Sequence, residues 1–144
     1  MLSLTGVALG AVGSLVGQYL VSRASTRQLA VQQAAAHRAE LKDVILKFLA
    51  VAFRVEKEAA RPPNGERAVG GVLDQLVSEL WLAQAEIDLA ARTEPLRGAT
   101  YRYAARLAEA AHGGVAGASE LGRAQVEFMD AAYEDLWPGQ RRGV

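Results

Sequence analysis

Residues 41–55 read LKDVILKFLAVAFRV and carry the pattern that decides the fold. Their apolar side chains return every three or four residues, which is typical of a helix with one face packed on a partner. This stripe consists of Leu41, Val44, Ile45, Phe48, Leu49, Ala52 and Val55. The stretch is therefore predicted to be a helix that contributes one face to a hydrophobic core.

Turn signals downstream of this helix divide the chain into three more predicted helices. RPPNGER at residues 61–67 ends the first helix, because proline cannot continue it and Asn-Gly favours a turn. A second amphipathic helix is expected from Val69 to about Ala91, followed by a restart at TEPL, residues 93–96. The third helix ends at HGGVAG, and a fourth runs from Ser119, its expected N-cap, to WPG at 137–139.

The predicted fold class is therefore all-α. Residues 41–137 are expected to form an up-down four-helix bundle, since its connections are short. No glycine or proline interrupts residues 18–60, so the first helix is predicted to extend backwards through a stalk, residues 23–40. Residues 138–144 are expected to form a C-terminal tail.

The N-terminal residues 1–22 contain no Asp, Glu, Lys or Arg and are predicted to be a transmembrane helix. About 20 apolar residues suffice to cross about 30 Å of hydrocarbon. A signal peptide is the main alternative, but such peptides begin with basic residues and none precedes Ser3. A buried helix is the second alternative. The membrane-proximal basic residues Arg23, Arg27 and Arg38 predict a cytoplasmic bundle and an external N-terminus in a single-pass cell-membrane protein.

Glycine recurs within this apolar segment at Gly6, Gly10, Gly13 and Gly17. Spacings of four, three and four follow the period of 3.5 residues that left-handed helix packing uses. Glycines at this spacing let a second helix approach closely, so the seam predicts a homo-oligomer interface within membrane lipid. Ser14 and Gln18 lie beside the seam and are candidates for interhelical contacts or for a wet lumen.

The same seam continues along the first helix through positions 20, 24, 27, 31, 34, 38, 41, 45, 48, 52 and 55. Arg27 and Arg38 lie on it, which disfavours a tight, dry coiled coil through the stalk. A splayed or water-filled centre is expected there instead.

Residues with catalytic or ligating chemistry are few. The chain has no cysteine, and its one Glu-x-x-His pair, Glu109 and His112, lacks the partners of a di-metal bundle site. His112 is expected to end a helix, where a cation meets exposed carbonyls. Arg102 and Arg106 share a face that either binds an acidic group or pairs with nearby glutamates, and pairing is favoured. No cofactor, no metal and no enzymatic activity are predicted.

Charge also bears on the partners of the bundle. Residues 1–39 carry +3 and residues 40–144 carry −3, so a nucleic-acid partner is not expected for the acidic bundle. Asp130, Glu134 and Asp135 are interpreted as a solvated acidic face. The bias towards Ala, Arg, Gly and Val suggests a GC-rich bacterial or phage genome.

Two functions remain open. The first is a membrane-anchored, homo-oligomerising assembly or adaptor protein whose bundle has a possible protein partner. The second is a pore-forming or membrane-perturbing oligomer lined by Ser14 and Gln18. A metal-dependent enzyme is the least favoured reading.

Overall fold

Four α-helices make up the fold in the computed structural model, which describes residues 4–62, 71–114 and 117–140 and their side chains from Gly17 onward. The helices are α1 (Leu4–Ala59), α2 (Gly71–Ala90), α3 (Glu94–Ala111) and α4 (Ala118–Leu136). No strand occurs among these residues. The prediction of an all-α helical bundle is confirmed.

The first helix, α1, is continuous from Leu4 to Ala59. Its last turn closes with the amide of Ala60, which donates to the carbonyl of Glu56 at 3.0 Å. The chain leaves the helix just before Pro62, in agreement with the stop predicted from the two prolines.

Helix α3 begins and ends where the sequence indicates. Thr93 is extended, with φ −112° and ψ 142°, and Pro95 lies in the first turn, where its missing N–H costs nothing. At the other end Gly113 has φ +78°, a left-handed conformation that favours glycine. The amide of Gly114 then donates to the carbonyl of Glu109 at 2.8 Å, which closes the helix.

The predicted N-cap of α4 is wrong by two residues. Gly117, rather than Ser119, is the N-cap, and Ser119 lies in the first turn. The carbonyl of Gly117 accepts hydrogen bonds from the amides of Glu120 and Leu121, at 2.8 and 3.2 Å. The helix thus starts at a glycine without a side-chain cap, although glycine ranks below serine at the N-cap.

The core includes the apolar stripe of residues 41–55 on α1. Leu41, Phe48 and Val55 of α1 are fully buried, and Ile45 and Ala52 nearly so. Phe48 contacts both Tyr103 of α3 and Phe128 of α4, with ring centroids 5.9 and 5.1 Å apart. Aromatic pairs at these distances add stability beyond their buried area. Through Phe48 the first helix therefore packs against both α3 and α4.

The chain divides into two compact units, Met1–Arg38 and Ala39–Val144. Every residue of the hydrophobic core lies in the second unit, between Leu41 and Leu136. In the first unit the described side chains are exposed except for those of Ala34 and His37, which are half-buried.

A membrane-spanning helix is not found among the described residues, none of whose helices is both long and apolar enough. The predicted transmembrane helix, residues 1–22, lies largely outside the described part of the chain, because side chains are described only from Gly17. The described part of the chain thus gives the predicted span no support of its own.

Candidate interaction surfaces

Of the four glycines in the seam, Gly17 alone lies in the part of the chain where the structure describes side-chain surroundings. Gly17 is exposed, and a Cβ atom added to it would meet no atom within 4 Å. The predicted interface residues Gly6, Gly10 and Gly13 and the neighbouring Ser14 lie outside the described side chains, whereas Gln18 is exposed. The chain itself therefore places nothing against the one glycine of the seam that can be inspected.

Apolar residues next to this glycine are also uncovered. Tyr19, Leu20 and Val21 are all more than half exposed. Isolated helices are marginally stable in water, and their apolar side chains gain nothing until a partner or a lipid phase covers them. Residues 19–21 of α1 thus present exposed apolar side chains.

The basic residues that follow the N-terminal apolar segment are exposed as well. Arg23, Arg27 and Arg38 make no ion pair with any residue in the described part of the chain. Their charges are therefore available to an external anion, such as a lipid headgroup or a carboxylate of another chain.

Within the second unit, the residues that continue the register of the glycine seam cannot contact a second copy of the chain. Positions 41, 45, 48, 52 and 55 of that register are the buried residues that α1 contributes to the core. A coiled coil in this register would compete with the core of the same molecule for those side chains.

A second apolar stripe on α1 points the other way. Leu46 is 53% exposed and Phe53 is 66% exposed, and Leu49, which lies between them in sequence, is half-buried. Leu49 packs against the core, as predicted, whereas Leu46 and Phe53 were not singled out from the sequence. The available signal was their spacing of three and four residues, which repeats the helical period on the opposite side.

Arg102 and Arg106 of α3 line an open groove of about 410 Å³ between α3 and α4. Arg102 pairs with Glu127 at 3.4 Å, and Arg106 pairs with Glu109 at 2.9 Å and with Glu120 at 3.5 Å. The hydrogen bond from Arg106 to Glu109 and the carboxylate charges raise the pKa of this arginine. The favoured prediction, a solvated face paired with glutamates, is confirmed.

Asp135 contradicts its assignment to a solvated face, because it is only 7% exposed. Its Oδ2 accepts hydrogen bonds from the backbone amides of Arg92 and Thr93, both at 3.1 Å, and from the Thr93 hydroxyl at 2.9 Å. A carboxylate from α4 thus caps the N-terminus of α3, where its charge is also favourable to the helix dipole. Helical spacing alone cannot show such a contact, because its partners are more than 40 residues away in sequence.

His112 is the C-cap of α3, as predicted. Its Nδ1–H donates to the carbonyl of Ala108 at 2.7 Å, and its Nε2 lies 3.8 Å from a carboxylate oxygen of Asp74. Glu109, the other half of the Glu-x-x-His pair, is bound to Arg106 instead. Among the described residues no three histidine or acidic side chains come together as a metal site.

Comparison with protein-family models, with curated proteins and with solved structures finds no match to this chain. The class that the fold defines is an all-α helical bundle whose first helix extends well beyond its core. Its functional candidates in the described part of the chain are surfaces on α1.

Proposed function

We propose that this chain is a single-pass membrane-anchored protein that forms homo-oligomers and presents a helical bundle as an assembly or adaptor module. The observation that carries the proposal is the uncovered apolar end of α1. Tyr19, Leu20 and Val21 are exposed there, at the end of a segment, residues 1–22, that holds no charged residue. A lipid phase would cover these side chains and the apolar residues that precede them.

The residues on either side of this end fit a membrane boundary. Tyrosine is enriched at membrane–water interfaces, and Tyr19 lies four residues before Arg23. Arg23, Arg27 and Arg38 follow the apolar segment without any acidic residue before Glu40. By the positive-inside rule this arrangement favours a cytoplasmic bundle and an N-terminus on the outer side.

The glycine seam supplies the proposed contact between copies inside the membrane. Lipid offers no hydrophobic drive for helix association, so contacts there depend on close backbone approach, which glycine at this spacing permits. A Cβ atom added to Gly17 would meet no atom of the described residues within 4 Å, which fits a contact made by another molecule.

Membrane insertion is tested by charged substitutions in two places on α1. The double variant V12R/L15R places two arginines near the middle of the proposed span, whereas L29R/V31R places two in the stalk. An arginine near a bilayer centre costs about 3 kcal/mol on insertion scales. We expect the unaltered chain and L29R/V31R to resist alkaline extraction of membranes and V12R/L15R to be released. Release of all three proteins would refute the anchor.

A dye-leakage assay distinguishes the pore alternative from a simple membrane anchor. Liposomes that contain the purified full chain and a trapped dye are expected to remain tight if the helix is an anchor. Dye release that disappears in the variant Q18L would instead favour a lumen lined by Ser14 and Gln18.

A further inference from the structure

The second apolar stripe on α1 has the spacing of a helix–helix seam. Leu46, Leu49 and Phe53 are separated by three and four residues, as positions a, d and a of a heptad are. Leu46 and Phe53 lie on the side of α1 opposite to the core residues Phe48 and Val55, and Leu49, between them in sequence, is partly buried against the core. We call the set Ala39, Lys42, Leu46, Leu49 and Phe53 the outer stripe.

The register of the outer stripe extends along the sequence towards the N-terminus. The a and d positions that precede Ala39 are all uncharged and exposed where described: Gln18, Val21, Ser25, Gln28, Gln32 and Ala35. Lys42 is thus the one charged residue of this register between Gln18 and Phe53. The register of the glycine seam, by contrast, contains two arginines in the stalk and becomes part of the core from Leu41.

We propose that the outer stripe is the site at which α1 of a second copy of this chain docks, parallel and in register. The inference rests on the proposed function, because anchoring in one membrane orients every copy in the same direction. It adds to that function a contact outside the membrane, on a face of the helix that the core leaves free.

Charge complementarity in this register supports a second copy as the occupant. With Leu46 at position a, Arg38 occupies a g position and Asp43 the following e position. In a parallel coiled coil a g residue faces the e residue five positions later in the other helix, which sets partner choice and orientation. Neither Arg38 nor Asp43 has an ion-pair partner among the described residues of its own chain.

The composition of the stripe suits a close contact between two helices. Ala35 and Ala39 are small enough for the backbones to approach, and Leu46, Leu49 and Phe53 supply apolar side chains to insert between those of the other copy. Lys42 keeps its ammonium group at the edge of the seam while its alkyl stem packs, within reach of Asp43 of the second copy. The exposed leucines of α2, Leu82 and Leu89, have no comparable charged pair in register.

The contact is tested by disulfide crosslinking of the full chain in membranes. The sequence has no cysteine, so any disulfide-linked dimer must form through the single cysteine that is introduced. L46C and L49C are expected to form disulfide-linked dimers under mild oxidation. L89C is the matched control, because Leu89 is an exposed leucine of the same unit on α2. Equal dimer yields at all three positions, or none at 46 and 49, would overturn the proposal.

The orientation is tested by charge reversal in the L46C background. R38D and D43R are each expected to reduce the dimer yield, because each places like charges opposite one another. The double variant R38D/D43R is expected to restore it, since the pair is rebuilt with its signs exchanged. Failure of the double variant to recover the yield would contradict the parallel register.

Alkaline extraction of the same membranes keeps the two proposals distinguishable. A chain that is released refutes the membrane anchor. A chain that stays in the membrane and shows no dimer at positions 46 and 49, or crosslinks there only to other proteins, refutes this docking site. Circular dichroism on each purified variant verifies that its helices are intact.

Discussion

Two buried residues show how single side chains contribute what helical periodicity does not reveal. Asp135 belongs by spacing to an acidic stretch of α4, yet it caps α3 through the amides of Arg92 and Thr93. Tyr103 lies in the core against Phe48 and Phe128, and the charge of Glu56 adds to burial in raising its pKa. Each of these roles depends on a neighbour from another helix.

Loss of the Asp135 cap is expected to destabilise the bundle. D135A removes three hydrogen bonds and leaves two backbone donors at the start of α3 without their acceptor, so we expect a loss of about 1–3 kcal/mol. The control E127A breaks an exposed pair with Arg102 and is expected to cost below about 1 kcal/mol. Urea unfolding in mild detergent, followed by circular dichroism, measures both. Equal effects of the two variants would argue against a structural cap.

Tyr103 is expected to make stability depend on pH in the alkaline range. Burial, and secondly the charge of Glu56, raise the pKa of Tyr103 from 10.0 to about 12. Because the folded state holds the phenolic proton more tightly, this stability is complete below pH 10 and is lost as pH rises to about 12. The loss is on the order of 3 kcal/mol. The control Y103F should lose less stability over this range in parallel unfolding curves, and identical curves would contradict the assignment.

At the scale of helices, the sequence predicts existence and approximate bounds well, because apolar periodicity and proline or glycine stops act locally. Helix α3 starts next to Pro95 and ends before Gly113, where the sequence placed its limits. The start of α4 was misplaced, since Gly117 caps it through its backbone carbonyl. For α1, periodicity identified the core stripe and missed that Leu46 and Phe53 form another stripe opposite to it.

Leucines within one helix are expected to differ sharply in their contribution to stability. Leu80 of α2 is 0% exposed and Leu89 of the same helix is 89% exposed. L80A leaves a cavity and is expected to cost about 3–5 kcal/mol, whereas L89A is expected to cost below about 0.5 kcal/mol. Thermal or urea unfolding of the two variants measures the difference. Comparable losses would contradict the placement of α2.

For the whole molecule, the distribution of the core matters more than the length of the first helix. All of the core residues lie between Leu41 and Leu136, within the unit Ala39–Val144. Lys47 pairs with Glu86 and Arg54 with Glu79, which joins α1 to α2 inside that unit. Among the described side chains, which begin at Gly17, α1 adds no residue to this core before Leu41.

The fragment 39–144 is accordingly expected to fold by itself. Every described core side chain lies within this fragment, so the fragment should be helical and unfold in one cooperative transition. A fragment that begins at residue 50 lacks Leu41, Ile45 and Phe48 and serves as the negative control. Calorimetry or circular dichroism on both measures the result. A non-cooperative transition in the longer fragment would show that the first unit is needed for folding.

The sequence by itself determined the all-α class, the four helices and the face that α1 turns to the core. These features follow from local propensity and from the helical period, which neighbouring residues encode. Tertiary structure alone decided that Asp135 caps α3, that the arginines of α3 pair with Glu109, Glu120 and Glu127, and that Leu46 and Phe53 stay exposed. Each of these depends on which side chains of distant helices meet, because burial and ion pairing are properties of the packed bundle.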